Sequence, residues 1–299
     1  MLALVLSGGG NFGAMQAGAL EVVLKTGLRP EMVIGTSAGA LNAIELAADP
    51  SPEGFLRVEG FWAQVGRDQV GSLSLLGGLR QLVTNKESLF SNDKLVAFMK
   101  EHLPADAPTF GELRKRNGLR AYTVSVCLDE GRPVVFGDRE DDKVLDGAMA
   151  SAGLPPYFPP WEVDGKRYVD GAVYSNLPIK MAVERGASQV IAIEINHAMQ
   201  TVEVARDMIA ISTTAVSLMV EFAGKAEVRW ARRHGIPFRL ISLKPPEDIL
   251  FWDFDQPERL VEEGRRAMTA ELDREPIHVL PAWRASLSRA AASVVRPRD

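Results

Sequence analysis

Cysteine and histidine are scarce in this chain, and their scarcity excludes several kinds of site. Of 299 residues, one is cysteine and four are histidine. A single cysteine cannot form an internal disulfide, and scattered histidines beside one thiol do not have zinc-ligand spacing. Cys127 follows the alternating segment 121–126, which predicts a buried strand position for it. We therefore expect no disulfide, no metal and no cofactor.

Long apolar runs and an excess of positive charge are also missing. No stretch approaches the roughly 20 apolar residues of a membrane-spanning helix. The amino terminus lacks a cationic region and its apolar run ends at Ser7, so we expect the first strand of the fold there, not a signal peptide. The net charge of −5 argues against nucleic acid as a partner. These absences predict a cytosolic protein.

A nucleophile elbow is the most informative feature that is present. The segment 32–41 is typical of a short strand, a tight turn and a helix, and Gly35, Ser37 and Gly39 form the pattern G-x-S-x-G. Such a turn strains the serine and exposes its hydroxyl, and flanking glycines remove side chains that would collide. Ala38 then opens a helix whose amides can stabilise negative charge.

A second glycine cluster precedes the elbow. Gly8, Gly9, Gly10 and Gly13 lie between an apolar strand and a helix, so their backbone N–H groups suit an anion or an oxyanion. The spacing also satisfies the dinucleotide pattern G-x-G-x-x-G. That alternative needs an acidic residue at the end of the second strand, whereas Glu31 lies before that strand.

A carboxylate followed by glycine forms a third candidate element. Asp170 and Gly171 come directly after a short β-type segment. Asp-Gly alone usually marks a turn, but an Ala-Ser…Phe-Pro-Pro segment precedes it at 150–160 and Asn-Leu-Pro follows it at 176–178.

Four ordered blocks together resemble the patatin-like phospholipases: the glycine loop at 8–13, the elbow at 35–39, the segment at 150–160 and Asp-Gly-Ala at 170–172. The resemblance implies a three-layer α/β/α fold with a mostly parallel central sheet, and hydrolysis of acyl esters, usually on lipids. It implies that Ser37 is the nucleophile and Asp170 its dyad partner.

The same resemblance assigns the oxyanion hole to the backbone amides of Gly9, Gly10 and Ala38. The family loop usually carries Arg or Lys where this chain has Phe12. That departure implies no strong preference for anionic head groups.

A free Asp is a poor base for this chemistry, because its usual pKa is about 3.9. Burial would raise the pKa of Asp170 and make its carboxylate a better proton acceptor. Tyr168, Phe158 and nearby prolines could supply apolar surroundings. A Ser37–Asp170–His197 triad is the alternative, since His197 follows a predicted parallel strand. The early position of the elbow favours the dyad.

The rest of the pattern predicts one hydrolase domain at 1–275 with a helical insert at about 51–117. Strand and helix alternate at the start, which indicates a parallel sheet. Part of the insert could cover the site, and 72–78 is its expected mobile piece. A helix capped by Asp255 is predicted near 257. The basic tail 276–299 is either a solvated end or a weak membrane-surface helix.

We therefore predict a serine acyl hydrolase, cytosolic or peripherally membrane-associated, that acts on fatty-acyl esters such as phospholipids or lysophospholipids. Two alternatives remain. One is a soluble carboxylesterase for short-chain esters, which the missing loop cation favours. The other is a non-catalytic binding or regulatory protein of the same fold, against which the intact Ser37 and Asp170 argue.

Overall fold

The computed structural model describes residues 1–65, 91–196, 208–251 and 253–280. Eight strands lie in these ranges: β1 Leu2–Leu6, β2 Met32–Thr36, β3 Arg120–Cys127, β4 Arg132–Phe136, β5 Trp161–Val163, β6 Lys166–Asp170, β7 Gln189–Ile195 and β8 Phe238–Leu243. The helices are α1 Gly13–Lys25, α2 Ala38–Ala48, α3 Gly54–Gln64, α4 Asp93–His102, α5 Phe110–Asn117, α6 Val144–Ala152, α7 Ile179–Glu184, α8 Met208–Arg233 and α9 Pro257–Arg274. Single 3₁₀ turns span Gly10–Phe12 and Gly171–Val173.

The strands form one mixed sheet in the order β5-β6-β3-β2-β1-β7-β8, with β4 paired to β3. Five neighbouring strands, from β3 to β8, run parallel. The antiparallel pairs lie at the β3 end, where β4 and the hairpin β5–β6 join. The predicted mostly parallel sheet is confirmed.

Both faces of the sheet are covered by helices. Leu2, Leu4 and Leu6 of β1 belong to one buried apolar cluster, and Ala3 and Val5 belong to a second. Successive side chains of a strand point to opposite faces, so the two clusters lie on opposite sides of the sheet. The first contains residues of α1 to α6 and α9, and the second contains residues of α7 and α8. The predicted three-layer α/β/α architecture is confirmed.

The segment predicted as a helical insert is described in part. Between 51 and 117 the described residues form α3, α4 and α5 and no strand. The segment 72–78 lies outside the described residues, as does the tail from 281 onward. Within the described ranges, no helix combines the length and apolar content needed to cross a bilayer. Cys127 is fully buried at the end of β3, as predicted.

The predicted cap of α9 is wrong by one residue. The helix begins at Pro257, and its capping position is Gln256, which makes no side-chain capping bond. Proline suits the first helical position because its fixed φ matches the helix and its missing N–H would have no partner there. Asp255 therefore lies one residue too early to cap the helix.

Candidate active site

The strand–turn–helix predicted around Ser37 is present, with Ser37 alone between β2 and α2. Its backbone has φ 56° and ψ −127°, an uncommon conformation for a residue with a side chain. A Cβ on Gly35 would lie 2.1 Å from the Gly39 carbonyl oxygen, and one on Gly39 would lie 2.5 Å from that of Leu6. Backbone therefore touches backbone on both sides of the elbow, so only glycine fits there.

The position of the candidate base follows from how β3 divides its partners between its two edges. Strand β4 pairs with β3 over residues 123–127. Strand β2 pairs with residues 120–124, and β6 pairs with residues 125–127. Because β2 and β6 each overlap β4 along β3, neither can share its edge. They therefore lie on the same edge of β3 and approach each other from opposite directions.

The carboxyl ends of β2 and β6 meet head to head at that edge. Thr36, the last residue of β2, pairs with Val124 of β3. Asp170, the last residue of β6, pairs with the next residue of β3, Ser125. Ser37 follows Thr36 directly, so the sheet brings Ser37 and Asp170 together although they are distant in the sequence.

Asp170 is completely buried, and its burial controls its charge. One carboxylate oxygen, Oδ1, accepts the Ala172 N–H at 2.8 Å. Loss of water raises the pKa of Asp170 to about 7, although the hydrogen bond from the Ala172 N–H and the nearby Ser37 hydroxyl oppose this. Tyr168 and Phe158, the expected apolar neighbours, are also buried. A carboxyl with this pKa exchanges a proton near neutral pH.

The second carboxylate oxygen of Asp170, Oδ2, differs from Oδ1 in its hydrogen bonding. Among the described residues, Oδ2 has no hydrogen-bond partner of normal geometry. The Ser37 hydroxyl nevertheless lies close enough to lower the Asp170 pKa. The two groups are therefore neighbours without a fully formed hydrogen bond.

The glycine loop lies against the elbow. A Cβ on Gly8 would come within 2.9 Å of the Ser37 Cβ, and one on Gly9 within 2.5 Å of Ile195. Gly10 has φ +56° and opens the 3₁₀ turn, while Ala38 opens α2. The first N–H groups of a helix have no acceptor inside it. The amides of Gly9, Gly10 and Ala38 are therefore suitable donors to an anion beside Ser37.

Close packing also explains why glycine stands at two other positions of the motifs. A Cβ on Gly171 would lie 2.4 Å from the Val124 carbonyl oxygen, where the chain leaves Asp170. A Cβ on Gly13 would lie 2.2 Å from the Trp62 ring. Phe12 is buried and makes an edge contact with Phe251, with 6.3 Å between ring centroids. This loop position therefore carries a buried aromatic ring and no cation.

Buried hydroxyl and amide groups hold the elbow and the loop, and their roles were not predicted. The Ser151 hydroxyl accepts the Ser37 N–H at 2.9 Å and donates to the Val124 carbonyl at 2.6 Å. The Asn176 side chain accepts the Gly8 N–H at 3.1 Å. Ser151 stands in the block at 150–160 that carries the resemblance, and Asn176 opens the Asn-Leu-Pro segment that follows Asp170. The available signal was a polar residue inside an otherwise apolar block, but its partner could not be deduced.

The alternatives that depend on other residues find less support in the geometry. Glu31 lies at the amino end of β2, where it accepts the Leu2 N–H at 2.8 Å, so it cannot hold a ribose at the opposite edge. His197 lies outside the described residues. The three described histidines, His102, His234 and His278, make no hydrogen bond to Ser37 or Asp170. Within the described ranges, no group of three or more His, Cys, Asp or Glu is placed to hold a metal.

Comparison with known proteins agrees with the family resemblance of the four sequence blocks. The family model "Patatin-like phospholipase" matches residues 4–183. The chain is similar to triacylglycerol lipase 4 of Saccharomyces cerevisiae, with 30% identity over 65% of this chain and 24% of the lipase. It is also similar to the uncharacterized protein YjjU of Escherichia coli, with 26% identity over 64% of this chain and 51% of that protein. The chain thus spans about half or less of the length of these relatives.

Among solved structures, human GIVD cytosolic phospholipase A2 in complex with methyl gamma-linolenyl fluorophosphonate gives a TM-score of 0.48 at 12% identity. The match covers 98% of this chain and 59% of that one.

Proposed function

The chain belongs to the patatin-like phospholipase family, and from this we propose that it is a serine acyl hydrolase that cleaves fatty-acyl esters of lipids. Ser37 is the nucleophile, and Asp170 is the base. Phospholipids or lysophospholipids are the substrate class. The observation that carries the proposal is the head-to-head meeting of β2 and β6, which sets the Ser37 hydroxyl beside a buried carboxyl of pKa about 7.

The reaction proceeds in two steps on these residues. The Ser37 oxygen attacks the ester carbonyl carbon while its proton passes to Asp170. The amides of Gly9, Gly10 and Ala38 donate to the oxygen that becomes negative. As the intermediate collapses, the protonated Asp170 gives its proton to the departing alcohol, leaving an acyl-enzyme. Water then attacks this ester with Asp170 again as the base, and Asp170 returns the proton to the Ser37 oxygen as the fatty acid leaves.

Phe12 bears on the choice of head group. Its burial leaves backbone donors but no cation in the glycine loop. This supports a site with little preference between neutral and anionic head groups at the catalytic step. We further assign residues 1–275 to the hydrolase domain, with its helical insert at about 51–117, and residues 276–299 to a basic tail.

A turnover assay with acyl esters of graded chain length tests the proposal. We expect hydrolysis to rise from acetyl to long-chain esters and to include phospholipid or lysophospholipid, with Ser37→Ala as the inactive control. An optimum at acetyl or butyryl esters would instead identify a short-chain carboxylesterase. No turnover of any ester by folded protein would identify a non-catalytic member of the fold.

The pH dependence of acylation should follow the ionisation of Asp170. Only the carboxylate can accept the Ser37 proton, so acylation should be lost as pH falls below the Asp170 pKa of about 7. The rate constant should drop about tenfold per pH unit below that value and level off above it. Single-turnover kinetics with a water-soluble ester measure this. A rate that stays constant down to about pH 5 would mean that Asp170 ionises as an ordinary carboxyl.

Ser151 should affect catalysis through the elbow. Ser151→Ala removes the acceptor of the Ser37 N–H and leaves two buried backbone groups unpaired, at a cost of about 1–3 kcal/mol in unfolding free energy. We also expect acylation to slow by about 10- to 100-fold, because the nucleophile loses its fixed position. Thr123→Val is the matched control, since its buried hydroxyl donates to the Gly147 carbonyl and does not touch Ser37.

The two variants should differ in acylation rate but not in the direction of their stability change. Both should lower stability, but only Ser151→Ala should slow acylation by folded protein. Equal acylation rates in the two variants would reduce Ser151 to a purely structural role.

A further inference from the structure

Helix α8 carries an unusual exposed apolar stripe, formed by Ile211, Ala215, Leu218, Met219 and Phe222. Their spacing of three or four residues, with Leu218 and Met219 adjacent, sets them on one face of the helix. The exposed fractions are 58% for Ile211, 41% for Leu218, 51% for Met219 and 60% for Phe222. A contiguous apolar face of this kind marks a surface that meets another apolar phase.

The stripe stands at the edge of the sheet that carries the candidate active site. The last turns of α8 pack on the sheet through the buried Val228 and Ala231. At Gly224 the helix passes Glu194, near the carboxyl end of β7, and a Cβ on Gly224 would lie 3.8 Å from the Glu194 carboxylate. The part of α8 between Ile211 and Gly224 is about 20 Å long. The stripe therefore extends beyond the carboxyl edge, where Ser37 also lies.

A second exposed apolar side chain lies at the same edge. Leu250 is 61% exposed. The Asn11 side chain holds its loop by donating to the carbonyl oxygens of Leu250 at 2.9 Å and Asp253 at 2.6 Å. Asn11 belongs to the glycine loop, and Gly10 packs against Phe251. Leu250 is therefore fixed beside the proposed oxyanion donors.

Charge on the same face of α8 points to the kind of partner. Arg229 and Arg233 follow Phe222 by 7 and 11 residues, which continues the stripe along the helix. Both are exposed, and neither forms an ion pair with a described residue. Glu221, which precedes Phe222 in the helix, is paired with Lys225. The face is thus apolar at one end and positively charged at the other.

A groove next to these arginines places aromatic rings beside them. It has a volume of about 390 Å³, and Lys180, His234 and the rings of Tyr174 and Trp230 line it with Arg229 and Arg233. The buried Glu227 also lines the groove, and hydrogen bonds within the protein engage both of its carboxylate oxygens. One oxygen accepts from the Ser175 hydroxyl at 2.7 Å, and the other accepts from the Lys180 backbone N–H at 2.8 Å. Cations with amphipathic aromatic rings are the side chains that face lipid head groups.

We propose that α8 docks the protein on an anionic lipid surface, with the apolar stripe and Leu250 entering the acyl region and Arg229 and Arg233 meeting the head-group phosphates. Only the turns of α8 that extend past the carboxyl edge enter the interface, and the helix does not cross the bilayer. The inference rests on the proposed function in one respect, since docking at this edge turns the mouth of the Ser37 site toward its lipid substrate. Surface binding and head-group choice at the catalytic step are separate events.

Vesicle sedimentation tests the docking surface, with the whole 299-residue chain carrying Ser37→Ala so that no lipid is hydrolysed. Vesicles of equimolar phosphatidylcholine and phosphatidylglycerol are compared with pure phosphatidylcholine. We expect Leu218→Ser with Phe222→Ser to weaken binding to the mixed vesicles at least tenfold, or about 1.4 kcal/mol. Arg229→Gln with Arg233→Gln should weaken binding to mixed vesicles and reduce the difference between the two compositions.

The matched control is Val279→Ser, an equally exposed apolar residue at the opposite edge of the sheet, next to the residue bonded to Gln189 at the start of β7. It should bind like the parent. Equal sedimentation of all variants would overturn the proposal. So would a dimer in lipid-free sedimentation velocity that the stripe variant abolishes, because the stripe would then be a protein interface.

Hydrolysis of a water-soluble ester separates this test from the proposed function. With Ser37 restored, the stripe and arginine variants should keep the parent's turnover of that ester, because no substituted residue belongs to the catalytic machinery. Loss of vesicle binding with intact soluble turnover supports docking by α8. Absence of all turnover in the parent would overturn the proposed function and leave the vesicle result valid by itself.

Discussion

Asp170→Asn is expected to abolish acylation while leaving a folded protein that is more stable above neutral pH. The amide cannot take the Ser37 proton, so we expect single-turnover acylation to fall by about a thousandfold or more. Asparagine keeps an oxygen that can accept the Ala172 N–H, the contact that Oδ1 now makes at 2.8 Å. The turn after β6 should therefore be preserved.

The gain in stability follows from the direction of the Asp170 pKa shift. Its pKa rises from 3.8 in the unfolded reference to about 7 in the fold. The folded protein therefore binds the proton more tightly, and this contribution is lost as pH rises through about 7. Removing the buried charge should raise the unfolding free energy at pH 8 by up to about 4 kcal/mol, and the gain should vanish near pH 4. Thermal melting across this pH range measures it.

His197→Ala is the comparison that separates a dyad from a triad. If Asp170 is the direct base, this variant should retain most of the acylation rate. In a triad the members act as a unit, so removing the histidine should cost about as much as removing the serine. A correctly folded His197→Ala that loses a thousandfold or more would overturn the dyad.

Ser37→Ala is expected to cause the largest loss of activity, about 10⁴-fold or more in turnover of every ester substrate. Ser37 alone stands between β2 and α2, where φ of 56° turns its side chain out from the strand–helix junction. The hydroxyl of the preceding Thr36 is buried and donates to the Ser175 carbonyl at 2.9 Å. Alanine has the same Cβ and nearly the same volume, so folding should be unaffected. Ser242→Ala, an exposed serine on β8, serves as the matched control and should keep full turnover.

Turnover that persists in Ser37→Ala within tenfold of the parent would contradict the assignment of the nucleophile. Melting temperatures of the two serine variants should agree with that of the parent, which excludes loss of fold as the cause.

Local patterns in the sequence predict the elbow and the glycine loop because backbone geometry determines both. Gly35 and Gly39 are required by contacts with atoms only a few residues away or on the adjacent strand β1. The alternation of strand and helix likewise predicts the parallel part of the sheet. These features depend on short-range rules, so the residues themselves carry the signal.

The contact between Ser37 and Asp170 has no such local signal. It depends on β6 pairing antiparallel with the end of β3, where β2 has just ended. Only the family resemblance linked the two residues. Ser151 and Asn176 illustrate the same limit, since their partners Ser37 and Gly8 lie 114 and 168 residues away. Periodicity and capping rules describe contacts between residues that are close in the sequence, so they do not predict contacts across such separations.

The apolar pattern of α8 is typical of a helix, but it does not reveal which of its apolar residues are exposed. Apolar side chains occur around much of its circumference, so hydrophobicity alone could not distinguish the buried Val228 from the exposed Phe222. That distinction requires the position of the sheet, because α8 runs past the carboxyl edge and only its later turns are covered.

Labelling with an active-site-directed fluorophosphonate, followed by peptide mapping, tests the central claim most directly. The reagent reacts covalently with an activated serine, so it reports the nucleophile independently of any choice of lipid. We predict a single adduct on Ser37, labelling that slows as Asp170 becomes protonated below about pH 7, and no adduct in Ser37→Ala. An adduct on another residue, or labelling of Ser37→Ala at the rate of the parent, would contradict the account.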